Sequence, residues 1–200
     1  AGYDVAVSAR TMVDGTARLE GGADVLVPGG LDTTVRAIED AGGDGLALRM
    51  DVLDRESVLA CAEVTIERFG RIDLLLNNAI LQGDAAMTEF VDLDDDSLAA
   101  LFEGNLFAQI ALTRAVLVGM RRRRSGTVMN MVSHAATNDP PGRIGSGGWG
   151  VGYAMTKAAL FRLAPALQVE LGHEGLRFHN IDPGYVLTER AVVRDVSRGF

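Results

Sequence analysis

Short apolar runs alternate along this chain with longer segments of helical period, and that alternation admits few folds. Residues 3–8 read as a strand, 31–41 as a helix, 45–50 as a strand, 57–69 as a helix and 72–76 as a short buried strand. Beyond Asp96, the apolar residues Leu98, Leu101, Phe102, Leu106 and Ile110 recur at helical spacing. A strand over 126–133, a helix from about 153 to 173 and an apolar-edged stretch over 177–181 follow. Such a βαβ series folds as parallel strands joined by right-handed crossovers. The expected class is therefore α/β, with a doubly wound parallel sheet whose ligands bind beyond the carboxyl ends of its strands. Asn78, Ser133 and Gly184 all follow strand ends.

Tyr153 and Lys157 form a Tyr-x-x-x-Lys element near the start of the alanine-rich helix. Four helical residues advance by about 400°, so both side chains share one face, where an ammonium favours the phenolate of a neighbouring tyrosine. Proton transfer at a carbonyl or alcohol needs such tuning. The element is weak alone, but it has ordered companions: Asn77, Asn78 and Ala79 after a short strand, Asn105 inside a long helix, Ser133 at a strand end, and Pro183, Gly184 and Thr188 after the last strand. In this order and over nearly its whole length, the chain resembles the short-chain dehydrogenase/reductase family.

The resemblance implies a Rossmann-like NAD(P)-dependent oxidoreductase acting on a ketone or secondary alcohol. Tyr153 would be the acid/base, and Lys157 would hold the nicotinamide ribose and lower the tyrosine pKa. Ser133 would hydrogen-bond the reacting oxygen, and Asn105 would hold a proton-relay water near Lys157, against the plainer reading of a solvent-facing amide. Asp51 and Val52 resemble the adenine-contacting pair, although Asp51 also suits a turn. Asn78 and Ala79 would approach the adenosine ribose, with Ile80 where the family has glycine. Pro183, Gly184, Val186 and Thr188 resemble the nicotinamide-side segment, although Thr188 also suits a helix cap. At the end of the first strand, Arg10 offers a planar donor fork for a 2′-phosphate where an acidic residue would repel one, so NADP is expected over NAD. The competing reading of Arg10 is a strand-closing surface charge. The expected partner is a small carbonyl or alcohol substrate, and the family implies a homo-oligomer built through the helices of Asn105 and Tyr153.

The family's glycine-rich phosphate turn does not appear before residues 3–8, which match its second strand. The expectation is one domain over 1–200, lacking the first strand and the C-terminal end. Gly145, Gly147 and Gly150 satisfy G-x-G-x-x-G, but Asp139, Pro140, Pro141 and Gly142 precede them instead of a strand, so they read as a loop. Ser133 and Tyr153 stand 20 positions apart, longer than the family's usual spacing, which makes 138–152 an insertion near the site with Trp149 either covering substrate or packing inward. Gly21, Gly22, Pro28, Gly29 and Gly30 lie in a long connection read as a second, surface insertion.

A net charge of -8 and a pI near 4.9 argue against a nucleic-acid surface. Arg121 to Arg124 read as cations complementing a helix C-terminus, with an anionic partner as the competing reading, and Asp92 with Asp94 to Asp96 reads as an N-terminal cap. The single cysteine, Cys61, excludes an intramolecular disulfide framework and reads as a buried small hydrophobe. His134, His173 and His179 lack metal-ligand spacing, so no metal is expected; no Gly-x-Ser-x-Gly elbow surrounds Ser133. No apolar run reaches bilayer-spanning length, so a soluble, cytoplasmic protein without a membrane partner is expected. A sugar-nucleotide epimerase or dehydratase, or a cofactor-binding sensor without turnover, are the alternatives. Leu81, Met87, Trp149 and Tyr185 suggest a partly apolar substrate pocket.

Overall fold

The computed structural model describes residues 2–18, 26–27, 29–184, 186 and 188; Gly21, Gly22, Pro28 and Tyr185 lie outside the described residues. Strand β1 (Val5–Ala9) is followed by the two-residue strands β2 (Ala17–Arg18) and β3 (Leu26–Val27), which pair antiparallel. The connection expected to be a surface insertion thus carries a small hairpin. Next come α1 (Leu31–Asp40), β4 (Gly45–Arg49), α2 (Arg55–Phe69) and β5 (Leu74–Asn77). Helix α3 (Asp95–Phe102) passes through a π turn, Glu103–Phe107, into α4 (Ala108–Arg123); β6 (Gly126–Met131), α5 (Val151–Leu171) and β7 (Leu176–Ile181) complete the series.

β1 pairs with β4, and β5, β6 and β7 form a second sheet in that order, every one of these pairings being parallel. The two sheets are joined through helix packing: Met50, Val52, Val58, Cys61 and Ala108 form one buried cluster with Ala79 and Leu81 against it. A larger cluster, containing Leu75, Val116, Leu117, Met120, Val128, Ala164 and Phe178, fills the space between the three-stranded sheet and its helices. The other face of β5 is open, with Leu74 40% and Leu76 43% exposed. Within the core, Asn77 Nδ2 donates to Asn130 Oδ1 at 2.9 Å and to Thr113 Oγ1 at 3.0 Å, and Asn77 and Asn130 are register partners across β5 and β6.

Helix ends follow the local chemistry. Asp54 caps α2, its carboxylate accepting from the Glu56 and Ser57 N–H groups, and Asp94 caps α3 through Ser97 N–H at 2.8 Å. Three of the four arginines at the end of α4 are engaged in the fold: Arg121 forms a two-bond pair with Glu174, Arg123 donates to the Ile72 carbonyl and Arg124 to that of His173. Pro165 lies inside α5 and has no N–H for the Phe161 carbonyl; Asn180 of β7 supplies the missing donor at 2.8 Å, so the helix passes the proline intact.

One sequence expectation needs correcting. The continuous helical run Asp95–Arg123 is 29 residues long with a mean hydropathy of 1.3 in its most apolar window, enough by length and composition to cross a membrane. It is nevertheless a core helix, because 56% of that window is buried and Asn105, Gln109 and Thr113 point into the protein.

Candidate active site

Two clusters of expected site residues collect at strand ends. In the first, the β1 and β4 termini are neighbours, since Ala9 opposes Arg49 and Met50 N–H donates to the Ala9 carbonyl at 3.0 Å. Arg10 and Asp51 therefore leave adjacent parallel strands on the same side. The Asp51 N–H donates to Ser57 Oγ and its carboxylate accepts from Leu53 N–H, each at 3.0 Å, which fixes the turn. Val52 is buried in the cluster against which Ala79 packs, bringing the ends of β4 and β5 together, while Asn78 is exposed. Gln109 Nε2 donates to the Ala79 carbonyl and holds the post-β5 backbone on α4.

The second cluster surrounds α5. Lys157 is 2% exposed and its Nζ donates to the Met131 carbonyl at 2.7 Å, two residues before Ser133. Burial lowers its pKa from 10.5 to about 8, and Asp182 opposes that shift through its charge. Ser133 precedes the 3-10 turn His134–Ala136, and its Oγ accepts from Ala135 N–H at 3.3 Å, leaving the hydroxyl hydrogen available to another acceptor. That turn and the π turn containing Asn105 both pack on α5. Tyr153 lies in the first turn of α5, four residues before Lys157 and half-buried.

Asn105 is fully buried, and its amide is tied to one residue: Oδ1 accepts from Leu81 N–H at 2.6 Å and Nδ2 donates to the Leu81 carbonyl at 3.2 Å. The solvent-facing reading of this side chain is therefore overturned. Preceding it, Gly104 permits the close approach, because a Cβ there would stand 2.8 Å from Leu81 Cβ and 3.1 Å from Val52 Cγ2. Asn105→Ala leaves two backbone groups of Leu81 unpaired and is expected to cost about 2–4 kcal/mol, measured as a lower urea midpoint at unchanged m.

Asp182 escaped the sequence reading, although Asp-Pro-Gly is a turn signal. Its Oδ1 accepts from Gly184 N–H at 3.0 Å, and Gly184 adopts φ 65°, so the turn after β7 is held beside the charge field of Lys157. Pro183, Gly184, Val186 and Thr188 are exposed. The G-x-G-x-x-G run lies in a loop: Gly145 and Gly147 have φ of 84° and 88°, and only Gly150 reaches a helix, as its N-terminal flank.

Comparison with known proteins places this geometry. The chain is 37% identical over 145 residues to oxidoreductase UcpA of Escherichia coli K12, covering 72% of this chain and 52% of the relative. It is 33% identical over 149 residues to an NADP-dependent 3-hydroxy acid dehydrogenase of Schizosaccharomyces pombe, covering 74% of this chain and 54% of that protein. Among solved structures, a short-chain dehydrogenase from Streptomyces avermitilis superposes with a TM-score of 0.67 at 33% identity, over 79% of this chain and 53% of that one. The chain thus spans about half the length of the relatives it matches. The short chain dehydrogenase model matches residues 16–196, and the chain belongs to that family.

Proposed function

We propose that this protein transfers hydride between NADP and a ketone or secondary alcohol, with residues 1–200 contributing one dinucleotide-binding domain and Tyr153 moving the proton. The observation that carries the reading is Lys157: a buried ammonium on the Tyr153 face of α5, with one hydrogen bond to Met131 O and further N–H donors for a ribose diol. The strand-end row of Arg10, Asp51, Val52, Asn78, Ala79, Pro183 and Gly184 fits a dinucleotide laid across the carboxyl edge, with Val186 and Thr188 on its nicotinamide side. When bound, the nicotinamide supplies or receives the hydride.

The chain's own residues handle the proton. In the reductive direction Tyr153 Oη gives its proton to the developing alkoxide, and the Lys157 charge, retained at neutral pH by a pKa near 8, stabilises the phenolate left behind. The Ser133 hydroxyl, its oxygen already accepting from Ala135 N–H, donates to the same substrate oxygen. The Asn105 amide positions Leu81, so its backbone carbonyl, in the widened π turn, is the group that meets a relay water. Self-association through the faces of α4 and α5 accompanies this reading.

Nicotinamide fluorescence titration tests the cofactor assignment. NADPH is expected to bind roughly ten- to a hundredfold more tightly than NADH, and Arg10→Asp to reverse that order. Binding of neither dinucleotide overturns the proposal, and binding with no oxidation of NADPH by any ketone points to a sensor.

A further inference from the structure

The face of α4 and its π turn that meets the end of β5 is polar although it is buried. Asn105, Gln109 and Thr113 stand four residues apart and are each at most 3% exposed. Their partners stand two residues apart. The Asn105 amide binds the N–H and carbonyl of Leu81, Gln109 Nε2 donates to the Ala79 carbonyl, and Thr113 Oγ1 accepts from Asn77 Nδ2. Four residues rise about 6 Å along a helix and two residues about 6.6 Å along an extended chain, so the two spacings match and the contacts run as successive rungs. Apolar side chains would pack at all three helix positions without burying a polar group, so the polar ones answer to the chain opposite. Backbone groups of Ala79 and Leu81 turn toward α4, and alternation along an extended chain then turns the Asn78 carbonyl and the Ile80 N–H away from it. Between Asn77, fixed in the sheet, and Leu81, fixed by Asn105, the Gln109 contact is the one hydrogen bond that the three intervening residues make among the described residues. Those three residues leave the carboxyl end of β5, the edge at which a doubly wound sheet takes its ligand.

We propose that Gln109 is a positioning residue for the dinucleotide. By holding the Ala79 carbonyl on α4 it keeps the Asn78 carbonyl and the Ile80 N–H turned outward, as a fixed acceptor and a fixed donor for the cofactor's polar edge, without touching the cofactor itself. The inference rests on the dinucleotide-binding reading and adds to it a residue that sets affinity from the buried side of the site. Without the Gln109 donor, three successive residues cross from sheet to helix with no hydrogen bond, and their peptide planes are free to rotate. The cofactor then has to order them on binding, which weakens its affinity and leaves the proton chemistry of Tyr153 and Lys157 as it was.

Gln109→Met keeps the length of the side chain and loses its donor. NADPH is expected to bind this variant about ten- to thirtyfold more weakly in fluorescence titration, with KM for NADPH raised by the same factor and kcat within about twofold of wild type. Gln109→Asn, whose amide stops one methylene short of the Ala79 carbonyl, takes its place if the methionine variant does not fold. Gln168→Leu is the comparison, because Gln168 Oε1 accepts from Phe178 N–H at 3.0 Å, another glutamine-to-backbone bond, about 22 Å of helical rise beyond Tyr153 on α5. Its loss is expected to lower the urea midpoint and to leave NADPH affinity within about twofold of wild type. NADPH binding undiminished in the folded Gln109 variant overturns the positioning role and leaves the dinucleotide reading standing. An equal weakening in Gln168→Leu overturns it as well, since a general loosening of the fold would then account for both. A fall in kcat with KM for NADPH unchanged does the same, and wild type that binds neither dinucleotide removes the site and this role together.

Discussion

Tyr153→Phe is expected to lower kcat for ketone reduction by roughly 10²–10⁴-fold while changing NADPH affinity by less than about tenfold. The phenyl ring keeps the half-buried packing of Tyr153 in the first turn of α5, and Thr156 Oγ1 still donates to the residue-153 carbonyl at 2.8 Å. What disappears is the phenol that, in the proposed mechanism, hands a proton to the alkoxide next to a fixed cation. Without the phenol, the proton for the developing alkoxide must come from water, a far weaker acid than a tyrosine beside an ammonium. Steady-state kinetics beside direct cofactor titration separates the two effects. A variant retaining wild-type kcat places the proton donor elsewhere and removes Tyr153 from the mechanism.

Lys157→Met is expected to abolish turnover and, at the same time, to stabilise the cofactor-free fold at neutral pH. A lysine whose folded pKa, near 8, lies below its unfolded value of 10.5 penalises the folded state. The penalty is fully present below about pH 8 and is relieved as pH climbs toward 10.5, because over that window the unfolded chain binds more protons than the folded one. The shift corresponds to roughly 3 kcal/mol, and losing the hydrogen bond to the Met131 carbonyl returns about 1 kcal/mol of it. The net expectation is a gain of about 1–2 kcal/mol at pH 7, shrinking as the pH rises to 10. Urea unfolding of both proteins at the two pH values measures it, and other titrating groups cancel in the difference. A variant less stable than wild type at pH 7 would show that the Met131 contact outweighs the cost of burying the charge.

The strands and helices were legible because each follows a local rule. Period-two and period-3.6 apolar patterns located β4, α2 and α5 to within a few residues, and the acidic run before α3 marked a cap that the structure contains, at Asp94. Spacing placed Tyr153 and Lys157 on one face of α5 because helix geometry alone decides it. What stayed hidden depends on partners distant in sequence. At the π turn the Asn105 amide is bound at both ends by Leu81, 24 residues earlier, and nothing in the periodicity of 95–123 marks where the helix widens. How the helix read over 153–173 carries Pro165 was not legible, because the donor to the Phe161 carbonyl comes from Asn180 on β7. The influence of Asp182 on Lys157 similarly arises only when the turn after β7 meets α5. The hairpin β2–β3 consists of two-residue strands, too short for any alternation to register.

The paired amides of Asn77 and Asn130 act as a ratchet on how β5 and β6 can align. Asn77 Nδ2 spans to Asn130 Oδ1 and Thr113 Oγ1 in a region where both asparagines are at most 2% exposed. Sliding β5 by one residue would turn the Asn77 side chain to the opposite face, seat a leucine in its place and strand the Asn130 and Thr113 groups in a dry interior, at about 1–3 kcal/mol for each unpaired group. A strand reading Leu-Leu-Leu-Asn has three nearly interchangeable apolar residues and would otherwise pair almost as well one step out of place. The fourth residue removes that ambiguity. Because Asn78 and Ala79 follow immediately, the same polar contact that selects the alignment also decides how far the end of β5 projects toward the site, so a misaligned sheet would misplace it by a residue's length.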